Sequence, residues 1–180
     1  MNAHTPNFQN IKTSIFCTSS FMTHLINGNL EGAKIFLKLS HLIDTDRVFI
    51  PIKSTNNNDD WSGCILDVVH RKILYYDPKY DNTNALLIPI RTQKMVDNVK
   101  HIHNYLSLVD MPSFKEKWEY KMILGTPFAP RDVNENDFDA AIFIYTFFSM
   151  AVNDMPIIFN QKNIHAIRSN LCYNVLKGSI

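Results

Sequence analysis

Three cysteines and seven histidines are the side chains of this 180-residue chain best suited to nucleophilic or metal chemistry. A cysteine attacks as the thiolate, so it needs a base beside it. Cys17 and Cys172 fall in helical patterns with no flanking histidine motif. Cys64 opens the apolar run Cys64-Ile65-Leu66, where a thiol behaves as a small hydrophobe. None of the three is expected to be a nucleophile. His101 and His103 are the closest histidine pair, and a spacing of two on a helix turns them to different faces, so no metal site is expected. His24, His41, His70 and His165 read as surface or locally satisfied side chains. Five glycines are too few to suggest a glycine-rich phosphate cradle, and no cofactor is expected.

The elements that must position any site follow from periodicity. Phe16 to Ile26 and Leu30 to Leu42 read as helices separated by the turn Asn27-Gly28-Asn29, with Ile35, Leu39 and Leu42 as the second helix's stripe. Arg47 to Ile52 is β-branched and aromatic, hence a strand, and Pro51 marks it as an edge or as ending there. A polar loop, Ser54 to Asp60, leads to a strand over Trp61 to Val69. The short link His70-Arg71 then joins it to a strand over Lys72 to Asp77, which predicts an antiparallel hairpin. Cys64, Ile65 and Leu66 make the middle strand apolar on both faces, so it should be central and covered on both sides. Gln93 to Val109 is an amphipathic helix on Met95, Val99, Ile102 and Leu106, its Arg91, Lys94 and Lys100 forming a solvated face. Phe114 to Leu124 alternates as a fourth strand, with Trp118 a core residue inside it. Gly125 to Asp137 reads as loop. Asp139 to Val152 is apolar nearly all round and should be a buried helix. Gln161 to Lys177 is a last helix striped by Ile164, Ile167, Leu171 and Val175 and capped by Gly178. The class is α+β.

Composition narrows the function. Eighteen basic against seventeen acidic residues leave a net charge of +1, so no field of one sign draws the chain to nucleic acid or to an anionic membrane. The N-terminus lacks the charged-then-apolar order of a signal peptide, and the apolar stretch Ala140 to Val152 is shorter than the roughly 20 residues a membrane span needs. Three unpaired, widely spaced cysteines fit a reduced compartment, nuclear or cytoplasmic. Residues 1–180 read as a single domain, with 1–12 a flexible N-terminal segment.

A set of short blocks then carries a resemblance: Val48-Phe49-Ile50-Pro51-Ile52, Asp60-Trp61, Leu66-Asp67, Tyr75-Tyr76-Asp77, and Met155-Pro156-Ile157-Ile158-Phe159-Asn160-Gln161 followed by Arg168. With Ser20-Phe21-Met22-Thr23-His24-Leu25 upstream, they stand in the order found in the ubiquitin-like-protein-specific cysteine proteases, the SUMO (sentrin) proteases and their adenovirus-protease-like relatives. The chain resembles that family over Phe16 to Gly178, although the family's usual Trp-Leu-Asn-Asp opening has no match. The resemblance implies an α+β papain-like cysteine protease core, a central antiparallel-rich sheet flanked by helices.

It also implies where the chemistry should be. Thiol proteolysis needs a nucleophile, a base, a group orienting the base, and an oxyanion donor. In the family's pattern the orienting Asp is matched by Asp77, but the His slot holds Asp60, the oxyanion Gln slot holds Asn134, and the nucleophile slot holds Ala140, followed by Ala141. Asn136 and Asp139 match the family's Asn and Asp. Ala140 has no lone pair, and loss of the nucleophile in a comparable triad costs about 10⁶ in rate. A carboxyl with an ordinary pKa of about 3.9 is a poor proton shuttle at pH 7. Placing Asp60 near Asp77 should raise one pKa or draw a cation or a water between them.

The expectation is therefore a pseudoprotease, not an enzyme: a protein-binding or scaffold module whose partner is SUMO or another ubiquitin-like protein, or a different protein, with no nucleic acid, no membrane and no metal. Trp61 would grip an extended small-residue tail or serve as a core or rim aromatic. Asp60 and Asp77 would meet an Arg or Lys of the partner, or Asp60 would be a loop carboxylate with no role while Asp77 keeps its inherited position. An inactivated form of a deSUMOylating peptidase, and an interaction domain that no longer binds ubiquitin-like proteins, are the alternatives.

Overall fold

The computed structural model describes residues 13–54, 60–80, 85–123, 139–159 and 161–177. The expected N-terminal segment 1–12, the loop Gly125 to Asp137, Asn134 and Asn136 within it, and the Gly178 cap lie outside the described residues. Five strands run β1 (Ser14–Phe16), β2 (Arg47–Lys53), β3 (Trp61–Asp67), β4 (Lys72–Tyr76) and β5 (Glu119–Met122), and they lie in the sheet in that order. The two middle pairings, β2 with β3 and β3 with β4, are antiparallel; the outer two are parallel. Helices α1 (Ser19–Ile26), α2 (Leu30–Phe36), α3 (Leu87–Leu106), α4 (Pro112–Lys115), α5 (Asp139–Val152) and α6 (Gln161–Lys177) complete the α+β fold. No helix among the described residues is long and apolar enough to cross a membrane.

The period of two in β3 sorts the core into two layers. Cys64 and Leu66 face α1 and α3, packing with Phe21, Met22, Met95, Val99 and Ile102. Ile65 faces α5, packing with Phe49, Tyr76, Phe143, Ile144 and Phe147. A central strand covered on both faces is what the unbroken apolar run required. Gly63 lies on the α5 side, and a Cβ there would stand 3.0 Å from the Phe148 ring and 3.2 Å from Ile144, so the missing side chain lets the helix settle on the strand.

Several boundaries differ from the sequence reading, each for a packing reason. The expected helix from Phe16 begins only at Ser19, because Ser14–Phe16 pairs with Arg47–Phe49 and the Phe16 and Phe49 rings stack at 4.6 Å. The expected Leu30–Leu42 helix stops at Phe36. Leu37 turns extended, its carbonyl accepts the Tyr105 hydroxyl, and a 3-10 turn over Leu39–Asp44 follows. Leu42 is buried there, but Ile35 is 76% exposed and leaves the predicted stripe. The expected strand Phe114–Leu124 divides into α4, started by Pro112, and β5. Trp118 is buried between them and packs on Phe114 four residues back. In α6 only the first part is buried: Ile164 is in the core while Val175 is 64% exposed.

Pro51 resolves into a local edge. Ser54 N–H donates to Asp60 O at 2.8 Å and Cys17 N–H donates to Phe49 O, so odd-numbered residues of β2 turn their backbone groups toward β1. β1 pairs only as far as Phe49, and the nitrogen of Pro51 falls just past it.

Candidate functional site

The antiparallel hairpin brings the start of β3 beside the end of β4, and so brings Asp60, one residue before β3, near Asp77, one residue after β4. α3 begins at Leu87, earlier than the amphipathic stripe requires, and its N-terminal turns carry Arg91 and Lys94 to the same place. Arg91 donates to Asp60 at 2.8 Å and lies 3.4 Å from Asp77; Lys94 donates to the other Asp60 oxygen at 2.7 Å. Side-chain exposures are 13% for Arg91 and Asp60, 22% for Lys94 and 0% for Asp77. Two cations thus meet two carboxylates in a nearly closed, charge-balanced cluster. This corrects the reading of Arg91 and Lys94 as a solvated face: an intramolecular pair of cations stands where a partner's Arg or Lys was expected.

The electrostatics follow from burial and neighbours. Burial raises the Asp60 carboxyl, but the hydrogen bonds and charges of Lys94 and Arg91 outweigh it and hold Asp60 below the ordinary carboxylate range. Asp77 is more deeply buried, and burial prevails: its carboxyl sits above the ordinary range despite Arg91, Lys94 and the Lys79 N–H that it accepts at 2.9 Å. Burial works against the charged Arg91, yet the two carboxylates hold its guanidinium more firmly protonated. Of the consequences anticipated for adjacent carboxylates, a cation does stand between them, whereas the raised Asp77 carboxyl owes most to burial and least to Asp60.

A second polar chain anchors α3 to the hairpin. Asn98 donates to the Tyr75 hydroxyl at 3.1 Å, and that hydroxyl donates to Ser62 Oγ at 2.8 Å, all three side chains being buried. A buried, mutually satisfied chain of this kind fixes the register between elements.

Ala140 occupies the first turn of α5 and is 1% exposed. Arg47, at the start of β2, donates to Ala151 O at 2.8 Å and pairs with Asp154 at 2.7 Å, so the C-terminal end of α5 lies over that end of the sheet. Ile144 and Phe148 lie over Gly63 nearer the start of β3. At about 1.5 Å per residue, the helix therefore runs Ala140 toward the end of the sheet where Asp60 and Asp77 stand. Asp139, the residue before it, is ion-paired with Arg168 of α6. Trp61 is half-buried against the α5 layer, with the Lys53 ammonium 5.7 Å from its ring centroid.

The cysteines are placed apart from this cluster's chemistry. Cys17 and Cys64 are buried, and burial pushes the Cys17 thiol up to about 12 and Cys64 higher still. Cys172 is exposed on α6. Arg91 and Lys94 are the site residues that the sequence reading missed. The signal that points to them is the substituted slot itself, because a second buried carboxylate requires a compensating cation.

Residues 1–177 match the family model described as the Ulp1 protease family, C-terminal catalytic domain. Among solved structures, the C-terminal Ulp1 protease domain in complex with Smt3, the yeast ortholog of SUMO, superposes with a TM-score of 0.73 at 19% identity, over 94% of this chain and 71% of that one. The SUMO protease Ulp1 with its catalytic cysteine oxidized to a sulfenic acid gives a TM-score of 0.71 at 19% identity over the same shares. The catalytic domain of the Chaetomium thermophilum Ulp1-like SUMO protease gives 0.59 at 13% identity, over 86% of this chain and 58% of that one. No curated protein matches the chain in sequence. At these identities the solved structures establish the shared fold.

Proposed function

The chain belongs to the Ulp1 protease family, and we propose that it is a pseudoprotease of that family, a protein-binding or scaffold module that keeps the protease fold without peptide cleavage. The observation that carries this reading is the Arg91 guanidinium held by Asp60 and Asp77. A general base must have a free lone pair and a pKa near the working pH to take a proton from a nucleophile. Lys94 and Arg91 hold the Asp60 carboxyl below the ordinary carboxylate range, which makes it a weaker proton acceptor still, and both of its oxygens are already engaged. Ala140, at the position that matches the family's nucleophile, offers only a methyl group. Neither proton transfer nor attack has an agent at these positions.

The candidate partner is SUMO or another ubiquitin-like protein. The Ulp1 domain solved with Smt3 shares this fold, and Trp61, half-buried at the start of β3, is the residue proposed to grip an extended C-terminal tail. Two measurements on the full chain test the reading. An electrophilic ubiquitin-like probe should give no covalent adduct, and an adduct or measurable isopeptide turnover would overturn the pseudoprotease assignment. Titration with free SUMO should show saturable binding that Trp61→Ala weakens. A folded chain that binds no ubiquitin-like protein would retain the scaffold role and remove the ubiquitin-like partner.

A further inference from the structure

β5 ends the sheet, and no described strand lies beyond it. Glu119 N–H donates to Arg71 O at 2.9 Å and Ile123 N–H donates to Tyr75 O at 2.8 Å. Successive residues of a strand turn their backbone groups to opposite sides, so Glu119, Lys121 and Ile123 face β4 while Tyr120 and Met122 direct theirs outward. The charges of this short strand do not guard the α3 side. Glu119 is registered with Lys72 and pairs with it, and Lys121 is registered with Leu74 on the α5 layer. Tyr120, registered with Ile73, shares the α3 side and is 56% exposed.

Beside this edge, between α3 and β5, runs a groove of about 330 Å³. Ile73, Val99 and Trp118 line its apolar part and Lys100, His103 and Lys117 its polar margin, with no carboxylate among the described residues that line it. Lys117 has no ion-pair partner among the described residues, and Lys100 reaches only Asp97, at 4.0 Å. An open strand edge beside an apolar groove is the geometry of strand addition, in which backbone bonds supply affinity and pockets for alternate side chains supply selectivity. The positive margin selects the sign of the occupant.

We propose that β5 accepts an extended segment of a partner protein in which apolar and acidic residues alternate. Its backbone pairs with Tyr120 and Met122, an apolar side chain enters the groove, and its carboxylates meet Lys100 and Lys117. The surface uses none of Asp60, Trp61, Asp77 or Ala140 and stands independently of the ubiquitin-like reading.

The test is fluorescence anisotropy of the full chain with a labelled synthetic peptide of alternating valine and acidic residues, beside a counterpart with lysine at the acidic positions. Only the acidic peptide should bind, and it should slow amide hydrogen exchange at Tyr120 and Met122. The exposed double variant Lys100→Glu with Lys117→Glu should lose affinity by about 10-fold. Trp61→Ala should bind the peptide unchanged, which separates this surface from the SUMO titration. Absence of binding, equal binding of the lysine peptide, or full affinity in the double variant would each overturn the proposal.

Discussion

The guanidinium of Arg91 lies 2.8 Å from the carboxylate of Asp60, the residue we propose to stand where the family has its imidazole. The same guanidinium lies 3.4 Å from Asp77, the residue proposed to match the one that orients it. A substitution that would otherwise set two carboxylates against each other is matched by a cation from a different element. Without Arg91 the pair would repel at low exposure, and with it the hairpin and α3 are tied together.

Arg91→Met should therefore destabilise the fold. It leaves Asp77 buried without its cation and Asp60 with Lys94 alone, and removing one partner of a buried ion cluster costs about 3 kcal/mol. Urea denaturation at pH 7 measures this. Adding Asp60→Asn to Arg91→Met should recover a substantial part of the loss, since the like charge is then gone. An unaltered midpoint in Arg91→Met would show that the cluster adds nothing to stability.

The two carboxylates should respond to pH in opposite senses. Asp60 has a folded pKa below its unfolded value, so its stabilisation is complete above about 3.9 and is lost as pH falls below it through the folded value. Asp77 has a folded pKa above its unfolded value, so its charge opposes folding increasingly as pH rises from about 3.9 through the folded value. Stability–pH curves of Asp60→Asn and Asp77→Asn against the parent should show this. The Asp60→Asn deficit should be constant near neutrality and vanish in acid, and Asp77→Asn should gain on the parent with rising pH. Deficits of the same sign and shape in both variants would contradict the assignment.

Reinstating the family's residues should not restore cleavage in one step. In the double variant Ala140→Cys with Asp60→His, the imidazole would stand among Arg91 and Lys94, whose charges disfavour the imidazolium that thiolate formation requires. A fluorogenic ubiquitin-like substrate should show no turnover with this variant. Adding Arg91→Met and Lys94→Met should raise thiol reactivity toward a small electrophile above that of the double variant. Turnover in the double variant would mean that the cation cluster does not control this position.

Gly63 should tolerate no side chain. Gly63→Ala places a methyl 3.0 Å from the Phe148 ring, and overpacking of this kind costs about 1–3 kcal/mol. Phe148→Leu should cost stability in the parent and cost less in the Gly63→Ala background, which a double-mutant cycle by urea denaturation reads directly.

How far the sequence reaches is clearest at α3 and β1. Met95, Val99, Ile102 and Leu106 are all buried, as their spacing required, because a helix stripe is a local property of 3.6 residues per turn. Arg91 and Lys94 follow the same periodicity on a more polar side, and nothing local distinguishes a solvated cation from one facing two carboxylates 31 and 14 residues away. β1 is three residues long and exists because Arg47–Phe49 pairs with it, so no pattern within Ser14–Phe16 announces a strand. The same holds for the break at Leu37, set by a hydroxyl from Tyr105.

The residues alone therefore determined the central hairpin and its two covered faces, the longer helices, the family pattern, and the absence of a thiol at position 140 and an imidazole at position 60. The tertiary structure decided which cations meet Asp60 and Asp77, which strand ends the sheet among the described residues, and which predicted stripes are half exposed. Hydrophobic periodicity acts between near neighbours in the chain and is written in short windows of sequence. Charge compensation and edge pairing act between residues that only folding makes neighbours.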